Sequence, residues 1–560
     1  MTKYGPLGQF SILKPEILQE ACSETMKRYA HADLDFLLGE ALYLETARLK
    51  SEQRKRLHAL LTFRRQYQDQ KIWAQVRQGL WAARTEVSRE ALLKQVIEHN
   101  LNEVSRKFSK PVYRFATRAV PFGFNWLLNA ASVKRFLPFR LSESLKSRFH
   151  IFGPMEQVQK LSEQGTVILL PTHQSNMDSI LIGYLIYLMG LPPFSYGAGL
   201  NLFTNPVLSF FMSRLGAYTV DRKKNYSIYK EALKQYSTSI LKRGFHSLFF
   251  PGGGRSRSGA IESHLKLGLL GTALHAQVEN LKPGGSQAKL FVVPVTTSYH
   301  FVLEASSLID EYLASEGHHR YLGVDTEDPN PVSKAVGFFW KFFASRSTVT
   351  LSIGQPMDLF GHPVDEEGRS YTEGGTPVDI RRLLTSHGEL VTVPERDQEY
   401  MRQMGEKVVQ SFYRENVVLT SHVVAFAFFY LLRLQYPELD LFRFLRLSPR
   451  QRVVPYARLL EECERFLDRL KQLEQQKKLK LSPDFFNRTQ SEWVEHGIRH
   501  MGLLHDRKAI RVGPDGVTSD DLSLLYYYRN RLTGYGLSLL GNRGFRVLEP
   551  GEIDELGFLA

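Results

Sequence analysis

The chain is poor in cysteine and has no apolar run long enough to cross a bilayer. Among 560 residues only Cys22 and Cys463 are cysteines, which excludes a disulfide framework and indicates a reducing compartment. A spanning helix needs roughly 20 mostly apolar residues without breaks, and we predict none. The opening stretch MTKYGPLGQFSILKPE has no long apolar core, so we also expect no secretory signal.

Two catalytic signatures are also missing. The sequence has no Gly-Lys-Ser/Thr after a glycine-rich turn, which argues against a nucleotide P-loop. It has no Gly-x-Ser-x-Gly turn either, and such a turn is the usual way for an α/β hydrolase to present a serine nucleophile. A covalent mechanism through an activated serine is therefore not indicated.

Charged residues are absent from two long segments, although they make up 23% of the chain. One segment runs from Ser179 to Ser213, and the other runs from Asn416 to Leu432. Such segments are typical of buried core helices. Together with the aromatic segments Phe124–Leu128 and Phe338–Phe343, they also favour a non-spanning contact with a membrane surface.

Positive charge exceeds negative charge. The formal net charge is +14 and the sequence pI is about 9.4, so the surface should attract acidic partners. A nucleic-acid binder would gather its Lys and Arg residues in a groove with stacking aromatics, whereas here they are spread along the chain. We therefore expect a phosphorylated substrate and an anionic membrane surface as partners, and no nucleic acid.

The chain divides into four regions by its hydrophobic pattern. Residues 1–145 carry apolar residues at three- and four-residue spacing, which predicts a helical N-terminal region. In residues 146–360, short branched apolar runs alternate with helical stretches, which predicts an α/β fold with a central, mostly parallel sheet and flanking helices. Residues 361–394 are predicted to form a loop or linker, and residues 395–560 a helical C-terminal region.

Individual elements can be placed within these regions. Strands are expected at 167–170, 246–250, 290–296 and 348–353. Helices are expected at 225–242, 264–277, 400–432 and 456–478. The alternation of the two kinds of element between 167 and 353 is the basis for the predicted sheet.

A histidine and an aspartate follow the first of these strands. In VILLPTHQSNMD, residues 167–178, the apolar run ends at Pro171 and leads into His173 and Asp178. The carboxyl ends of strands are where an α/β sheet presents reactive groups. A carboxylate beside a histidine fixes its tautomer and leaves the second nitrogen to accept a proton. A loop histidine next to a helix-capping Asp178 is the structural alternative, and the remaining motifs decide between the two.

A loop rich in glycine and arginine, FFPGGGRSRSG at residues 249–259, carries the second chemical signal. Its glycines let backbone amides approach an anion without obstruction by a Cβ atom. Its arginines supply charge-assisted, bidentate donors of the kind that phosphate requires. The candidate phosphate-binding residues, two of which lie outside this loop, are Arg222, Gly253, Gly254, Arg255, Ser256, Arg257 and Lys266.

Four blocks of sequence resemble the HX4D glycerolipid acyltransferases, and specifically their glycerol-3-phosphate acyltransferase branch. In chain order they are PTHQSNMD (171–178), FFMSRLGAYTVDR (210–222), FFPGGGRSRSG (249–259) and VVPVTTSYHFVLE (292–304). The resemblance covers roughly residues 150–356. The segments NVVLTSHVVAFAFF (416–429) and LSLLYYYRNRL (522–532) also look like the tail of that branch.

The resemblance implies an enzyme that transfers a fatty acyl chain from a thioester to glycerol 3-phosphate, the first step of phospholipid synthesis. His173 would be the general base and Asp178 would orient it, with the acyl chain along the uncharged segment after Asp178. The donor would be acyl-coenzyme A or acyl carrier protein, used as co-substrate, and we expect no cofactor. We expect no metal, because His173 and Asp178 lack further ligands at recognisable spacing.

The same resemblance predicts where the protein works. We expect a peripheral protein at the cytoplasmic face of a membrane, which would be the inner membrane in a bacterium. The positive net charge and the uncharged segments agree with this expectation.

One position departs from the family pattern. The third block of the family usually carries a glutamate before its glycine pair, and here that position is Gly252. Because this glutamate is associated with the glycerol portion of the acceptor, 1-acylglycerol 3-phosphate and dihydroxyacetone phosphate stay open as acceptors. A polar residue from elsewhere is a candidate substitute. A catalytically inactive, basic lipid-binding protein is the more distant alternative, which the intact His173 and Asp178 disfavour.

Overall fold

The computed structural model describes residues 4–54, 60–82, 86–117, 149–200, 206–316, 348–501, 503 and 505–537. The structural statements that follow concern these residues. The predicted aromatic segments Phe124–Leu128 and Phe338–Phe343 lie outside them.

A seven-stranded sheet forms the centre of the described chain. Its strands are β1 Phe149–Phe152, β2 Thr166–Pro171, β3 Ser195–Gly199, β4 Ala217–Val220, β5 Ser247–Leu248, β6 Leu290–Tyr299 and β7 Val349–Ile353. They lie in the spatial order β1-β7-β6-β2-β5-β3-β4. All neighbouring strands are parallel except β6 and β7, which are antiparallel. The predicted mostly parallel sheet is therefore confirmed.

The sequences of β2 and β6 explain their central position. TVILLP and LFVVPVTTSY are buried at every residue, as expected for parallel strands that are covered on both faces. Because β2, β3, β4, β5 and β6 point the same way, their carboxyl ends meet at one edge of the sheet. The loops that follow these strands therefore converge, and this edge is where α/β folds bind ligands.

Helices cover the sheet and extend it on the N-terminal side. The first four are α1 Phe10–Arg28, α2 Leu34–Arg54, α3 Leu60–Ala82 and α4 Glu86–Val104. Those between the strands are α5 Met155–Gln164, α6 Asp178–Leu188, α7 Pro206–Met212, α8 Ser227–Lys242, α9 Leu270–Leu281 and α10 Ala305–Glu316. Apolar residues of α1 to α4 share one core with α8, which joins the N-terminal helices to the sheet layer.

Residues 361–394, predicted as a loop or linker, contain short regular elements. These are β8 Ser370–Tyr371, β9 Pro377–Val378, α11 Ile380–Leu384, β10 Thr385–Ser386 and β11 Glu389–Leu390. β8 pairs with β9 and β10 pairs with β11, both antiparallel. The segment is therefore a pair of small hairpins around a single helical turn.

The C-terminal region is mainly helical, as predicted. Its elements are α12 Pro394–Glu415, β12 Val417–Val418, α13 Thr420–Gln435, α14 Leu441–Leu445, α15 Tyr456–Gln475, β13 Lys480–Leu481, α16 Gln490–His500, β14 Arg511–Gly513, β15 Gly516–Thr518 and α17 Leu522–Arg529. The single helix predicted over 400–432 is wrong, because β12 interrupts it to pair in parallel with β13. The apolar side chains of this region share one core with the sheet.

The uncharged segment Asn416–Leu432 forms β12 and most of α13, and nearly all of its side chains are buried. Its lack of charge is therefore explained by the protein core. In the ranges that the structure describes, none of the helices combines the length and the apolar character that a bilayer crossing requires.

Candidate active site

His173 and Asp178 form a hydrogen-bonded pair at the carboxyl end of β2. Nδ1 of His173 lies 2.9 Å from Oδ2 of Asp178. α6 begins at Asp178, so the aspartate lies in the first helical turn and the histidine lies on the loop before it, as the sequence predicts. Because Nδ1 contacts the carboxylate, Nε2 is the nitrogen that remains to accept a substrate proton.

Asp178 is fully buried and surrounded by hydrogen-bond donors. Its Oδ2 accepts hydrogen bonds from the backbone N–H groups of Gln174 at 2.6 Å and Ser175 at 2.9 Å. Its Oδ1 accepts one from the hydroxyl of Tyr299, the last residue of β6. Burial and the charge of Asp178 raise the pKa of Tyr299 well above its ordinary value, so the hydroxyl stays a donor. These contacts fix the carboxylate and, through it, the imidazole ring.

Glu304 connects the His173 loop to the glycine-arginine loop. Its Oε2 accepts a hydrogen bond from the Ser175 hydroxyl at 3.0 Å, and its Oε1 accepts one from the backbone of Asn176 at 3.1 Å. The same Oε1 lies 3.4 Å from Nη1 of Arg255. One carboxylate therefore sets the position of an arginine relative to the His173–Asp178 pair.

The two loops also contact each other directly. The backbone N–H of Ser256 donates a hydrogen bond of 2.7 Å to the carbonyl of His173. The Ser256 hydroxyl donates to the carbonyl of Ala260 at 2.8 Å. The rings of His173 and Phe250 stack with centroids 4.0 Å apart. Ser256, predicted as a phosphate ligand, thus joins the two loops through its backbone N–H, whereas its hydroxyl closes a turn within its own loop.

Two cations flank the glycine turn. Gly253 has a φ of +71°, a left-handed conformation that favours glycine. A Cβ built on Gly253 would lie 3.1 Å from Nζ of Lys266, and one on Gly254 would lie 3.8 Å from Nη1 of Arg222. Partial burial lowers the pKa of Arg222, because its charge has lost water. A bound anion would offset that loss.

The two arginines of the glycine-arginine loop occupy different environments. The side chain of Arg255 is 28% exposed and lies beside Glu304. The side chain of Arg257 is 59% exposed and lies 3.5 Å from Oε2 of Glu311 on α10. Arg255 therefore faces the catalytic loop, whereas Arg257 lies at the outer rim.

Glu262 lies where Gly252 leaves space. A Cβ on Gly252 would lie 3.1 Å from both Cγ and Oε1 of Glu262. Oε1 accepts a hydrogen bond of 2.7 Å from the backbone N–H of His173. Oε2 has no hydrogen-bond partner within the described ranges. Burial raises the pKa of Glu262 to about 8. The family pattern has a glutamate at the position of Gly252. Here a carboxyl group lies beside Gly252, but it belongs to Glu262, ten residues later in the chain.

An apolar cavity of about 290 Å³ opens beside the first turns of α6. Its walls include Ser179, Ile180 and Gly183 of α6, and Phe194 and Leu248 from the sheet side. Ser179 directly follows Asp178, so the cavity begins next to the catalytic pair. The uncharged segment after Asp178, which the sequence assigns to the acyl chain, thus lines an apolar space.

C-terminal residues complete the back of the site. Arg531, which is buried, donates hydrogen bonds to Asn416 Oδ1 at 2.8 Å and to the carbonyl of Thr297 at 2.7 Å. Asn530 Nδ2 donates to the carbonyl of Ser258 in the glycine-arginine loop at 2.9 Å. The helical C-terminal region is therefore packed directly against the candidate active site.

The structure adds four residues to the predicted site: Tyr299, Glu304, Glu262 and Arg531. Tyr299 and Glu304 lie in the fourth sequence block, which resembles the family, but the sequence alone gives neither residue a role. No local pattern marks Glu262. Arg531 lies in the segment 522–532 that resembles the tail of the branch, but its relation to the His173 loop arises only from folding.

Comparisons with known proteins agree with this geometry. The family model described as Acyltransferase matches residues 154–298. The chain is 29% identical over 211 residues to a glycerol-3-phosphate acyltransferase of Pseudomonas aeruginosa, which covers 38% of this chain and 22% of that relative. It is 26% identical over 309 residues to one of Pseudomonas putida, which covers 53% of this chain and 35% of the relative. The chain thus spans about a third or less of the length of these curated relatives.

One solved structure is also similar. It is the 1-acyl-sn-glycerophosphate (LPA) acyltransferase PlsC from Thermotoga maritima, with 16% identity and a TM-score of 0.23, covering 53% of this chain and 91% of that one. A TM-score this low carries no argument.

The family match covers β2, β3, β4, β5 and all of β6 except its last residue, and it includes every residue predicted for the site. The chain therefore carries a domain of the acyltransferase family, and it is similar to the glycerol-3-phosphate branch of that family.

Proposed function

We propose that the chain is a glycerol-3-phosphate O-acyltransferase that uses an acyl thioester, acyl-coenzyme A or acyl carrier protein, as donor. The observation that carries the proposal is the position of the His173–Asp178 pair. It lies between a glycine turn flanked by Arg222 and Lys266 and an apolar cavity of about 290 Å³. A phosphate and an acyl chain are the two groups that such surroundings suit.

The proposed reaction is a direct transfer. Nε2 of His173 removes the proton of an acceptor hydroxyl, and Asp178 stabilises the imidazolium that forms. The alkoxide attacks the thioester carbonyl, the tetrahedral intermediate collapses, and the carbon–sulfur bond breaks. The imidazolium returns its proton to the leaving thiolate, so His173 is neutral again. A positioned base contributes about 10²–10⁴-fold to the rate.

The acceptor phosphate is assigned to the glycine turn. Arg222 and Lys266 supply positive charge beside the glycine turn, and Arg255 supplies it from the same loop. The backbone at Gly253 and Gly254 offers N–H groups without side-chain obstruction. Arg257 contributes long-range attraction from the rim, and Ser256 contributes by holding the two loops together.

Glu262 is the proposed substitute for the glutamate that the family has at the position of Gly252. Its hydrogen bond to the backbone N–H of His173 helps to position the loop that carries the proposed base. Its Oε2 remains available to an acceptor hydroxyl. This arrangement supports glycerol 3-phosphate, which has two hydroxyl groups, over 1-acylglycerol 3-phosphate, which has one.

The proposed site faces a membrane surface. Three large exposed aromatic side chains lie near the apolar cavity: Phe115, Tyr187 and Phe210. Tyr187 lines the cavity, and the other two directly precede the lining residues Ala116 and Phe211 in the chain. Exposed aromatics beside a positively charged surface are typical of interfacial binding. A peripheral location would let the acyl product pass from the cavity into the bilayer.

A panel of acceptors tests the proposed function. Radiolabelled acyl transfer is measured with glycerol 3-phosphate, dihydroxyacetone phosphate, 1-acylglycerol 3-phosphate and glycerol. We expect glycerol 3-phosphate to give the highest kcat/KM and glycerol to be a very poor acceptor. Preference for either of the other phosphates would change the acceptor but keep the reaction. Absence of transfer to every acceptor, by folded protein and with both donors, would reject the enzyme in favour of a lipid-binding protein.

A further inference from the structure

A histidine cluster lies where the sheet meets the C-terminal helices, apart from the candidate active site. His300 follows β6, and His496 and His500 lie one turn apart on α16, whereas Asp484 precedes that helix. Ligand-type atoms of His300, Asp484 and His496 all lie within 4.8 Å of one another. The ring of His500 has its centroid 4.3 Å from that of His496 and 5.8 Å from that of His300. Three histidines and a carboxylate therefore converge.

Two nitrogen atoms of this cluster are buried without a hydrogen bond. Within the described part of the chain, Nε2 of His300 and Nδ1 of His500 have no partner. His300 is only 1% exposed, so water does not satisfy its nitrogen. An unsatisfied buried polar atom costs about 1–3 kcal/mol. A metal ion bound to both lone pairs would remove that cost.

Hydroxyl groups at the start of α13 orient two of the rings. Nδ1 of His300 lies 2.9 Å from the hydroxyl oxygen of Ser421, and Nδ1 of His496 lies 3.0 Å from that of Thr420. Metal-binding histidines commonly use their second nitrogen in this way, which fixes the tautomer. With Nδ1 as the donor, each ring keeps an Nε2 lone pair for a ligand.

The charge state of the cluster also suits a cation. Burial lowers the pKa of His300 well below its ordinary value and that of His500 to about 4, and neighbouring histidines add to both effects. Neutral imidazole is the form that binds metals. Asp484 supplies negative charge, which it shares with Arg488 at 3.2 Å and the Ser482 hydroxyl at 3.1 Å.

A second cluster shows what distinguishes this one. Among the described residues, Asp69, His99 and Glu103 also bring ligand-type atoms within 4.8 Å of one another. There, Arg48 donates to Asp69 at 2.7 Å and Lys224 donates to Glu103. Asp484 also pairs with a cation, Arg488, but its cluster keeps two buried nitrogen atoms without a hydrogen bond. In the part of the chain that the structure describes, none of the buried atoms without a partner belongs to Asp69, His99 or Glu103, so that cluster gives no comparable reason to bind a metal.

We propose that His300, Asp484, His496 and His500 form a structural zinc site that fastens α16 to the end of β6. His300, Asp484 and His496 supply three ligand-type atoms within 4.8 Å of one another, and His500, whose ring lies beside that of His496, is assigned as the fourth ligand. Nitrogen ligands with one carboxylate suit Zn²⁺, and a four-ligand tetrahedral set leaves no open position for catalysis. Tyr299, which contacts Asp178, immediately precedes His300. The ion therefore also holds the strand end that positions the catalytic aspartate.

The site was absent from the sequence-based prediction for a simple reason. The prediction considered only ligands near His173 and Asp178 in the sequence. The four residues of the cluster lie between positions 300 and 500: His300 follows β6, Asp484 precedes α16, and the other two lie on α16. The helical pair His496 and His500, four residues apart, is the local signal that sequence alone contains.

Metal content of the purified full chain, without a histidine tag, tests the site. We expect about one Zn²⁺ per chain by mass spectrometry after expression in zinc-supplemented medium. After treatment with a chelator, added Zn²⁺ should raise the Tm by several degrees. Mg²⁺ at the same concentration should have no effect, because it prefers oxygen ligands.

Matched variants locate the ion. His496→Gln and His500→Gln should each lower the zinc content at least about tenfold, since each removes one ligand of a closed site. His99→Gln, in the cluster that Lys224 and Arg48 neutralise, should leave the zinc content unchanged. If His496→Gln does not fold, Co²⁺ is added to the metal-free parent chain instead. We then expect the visible absorption bands of a tetrahedral Co²⁺ site.

Three results would overturn the zinc site. The metal-free parent chain could fail to bind Zn²⁺ or Co²⁺, the double variant His496→Gln/His500→Gln could retain the zinc, or His99→Gln could lose as much as His496→Gln. None of these measurements uses acyl transfer, so they are independent of the proposed function.

Discussion

Two histidine–aspartate pairs in the described chain have nearly the same separation and different surroundings, and they use different ring nitrogens, Nδ1 in His173 and Nε2 in His99. His173 and Asp178 are 2.9 Å apart, and His99 and Asp69 are 3.0 Å apart. Both aspartates are almost completely buried. The first pair lies at the carboxyl edge of the sheet beside an apolar cavity, whereas the second lies among the N-terminal helices.

Cations make the difference between the pairs. Burial alone would raise the pKa of Asp69, but the hydrogen bond from His99 and the charges of Lys224 and Arg48 lower it below its ordinary value. Asp178 is held instead by neutral donors, the Tyr299 hydroxyl and two backbone N–H groups. The N-terminal pair is thus part of a neutralised ion network, whereas His173 keeps a nitrogen for substrate. A hydrogen-bonded histidine and aspartate indicate catalysis only when the surroundings leave the base available.

Asparagine substitutions at the two aspartates should separate these roles most strongly. Asp178→Asn should lower kcat by about 100-fold or more, because the imidazole loses its orienting carboxylate. Asp69→Asn should leave kcat per folded molecule unchanged but lower the free energy of unfolding by about 3 kcal/mol, because buried Arg48 and Lys224 lose a counter-charge. Acyl-transfer kinetics and chemical denaturation of both variants check this. Equal losses of kcat would contradict the distinction.

Glu262, the carboxyl group beside the catalytic pair, should give stability a pH dependence opposite to that of Asp69. Its pKa is about 8 in the folded chain against an ordinary value of 4.5, so the folded state keeps a proton that the unfolded state loses between these values. The stability of the parent chain should therefore fall as pH rises from 5 to 8, by about 4 kcal/mol from this group.

Glu262→Gln removes that titration and keeps an oxygen to accept the hydrogen bond from His173. The difference in unfolding free energy between the variant and the parent chain should therefore grow from pH 5 to pH 8. Denaturation curves at several pH values measure it, with the exposed Glu311→Gln as a control that should show no such growth. A difference that does not change with pH would mean that Glu262 is ionised in the folded chain.

The two arginines around Ser256 give a smaller, matched comparison. Arg255→Ala should raise the KM for glycerol 3-phosphate by about 10- to 100-fold, the value of a charge-assisted contact, with the donor KM nearly constant. Arg257→Ala should change it much less, because that side chain is exposed at the rim. Arg255→Lys should recover only part of the loss, since an ammonium cannot reproduce the planar fork. A rise in donor KM alone would place Arg255 on the thioester side.

The smallest effect concerns the apolar cavity. A Cβ on Gly183 of α6 or on Gly271 of α9 would meet nothing within 4 Å, so both helices should accept leucine. Gly183→Leu partly fills the cavity and should lower kcat/KM for long-chain donors by about tenfold relative to short-chain donors. Gly271→Leu, in a larger cavity of about 870 Å³ whose lining includes many charged residues, should not alter chain-length preference. A chain-length effect confined to Gly271→Leu would move the acyl site to that cavity.

The sequence predicted the parts of the site that depend on local pattern. The strand-like run that ends at Pro171 follows from its branched apolar residues, so the position of His173 on the loop after β2 was predicted correctly. The helix expected from 264 begins at Leu270 instead, because the preceding residues form the loop that brings Glu262 and Lys266 to the glycine turn. This loop is required by contacts in the folded chain, and hydrophobic periodicity contains no information about such contacts.

Contacts from distant segments could not be predicted in this way. Arg531 reaches Thr297, and Asn530 reaches Ser258, across more than 200 residues of chain in each case. The break between α12 and α13 also depends on a distant segment, because the residues between these helices form β12, which pairs with β13. The sequence pattern predicts His173 and Asp178, whereas the residues that support this pair are brought to it only by the folded chain.

The most direct test of the central claim is acyl transfer by His173→Ala. Formation of labelled acylglycerol phosphate and release of thiol are followed for the parent chain, His173→Ala and His99→Ala at equal concentrations of folded protein. The proposed mechanism predicts one thiol per product in the parent chain, a loss of at least about 100-fold in His173→Ala, and near-parent turnover in His99→Ala. Retention of more than about a tenth of the parent rate by His173→Ala would show that His173 is not the base.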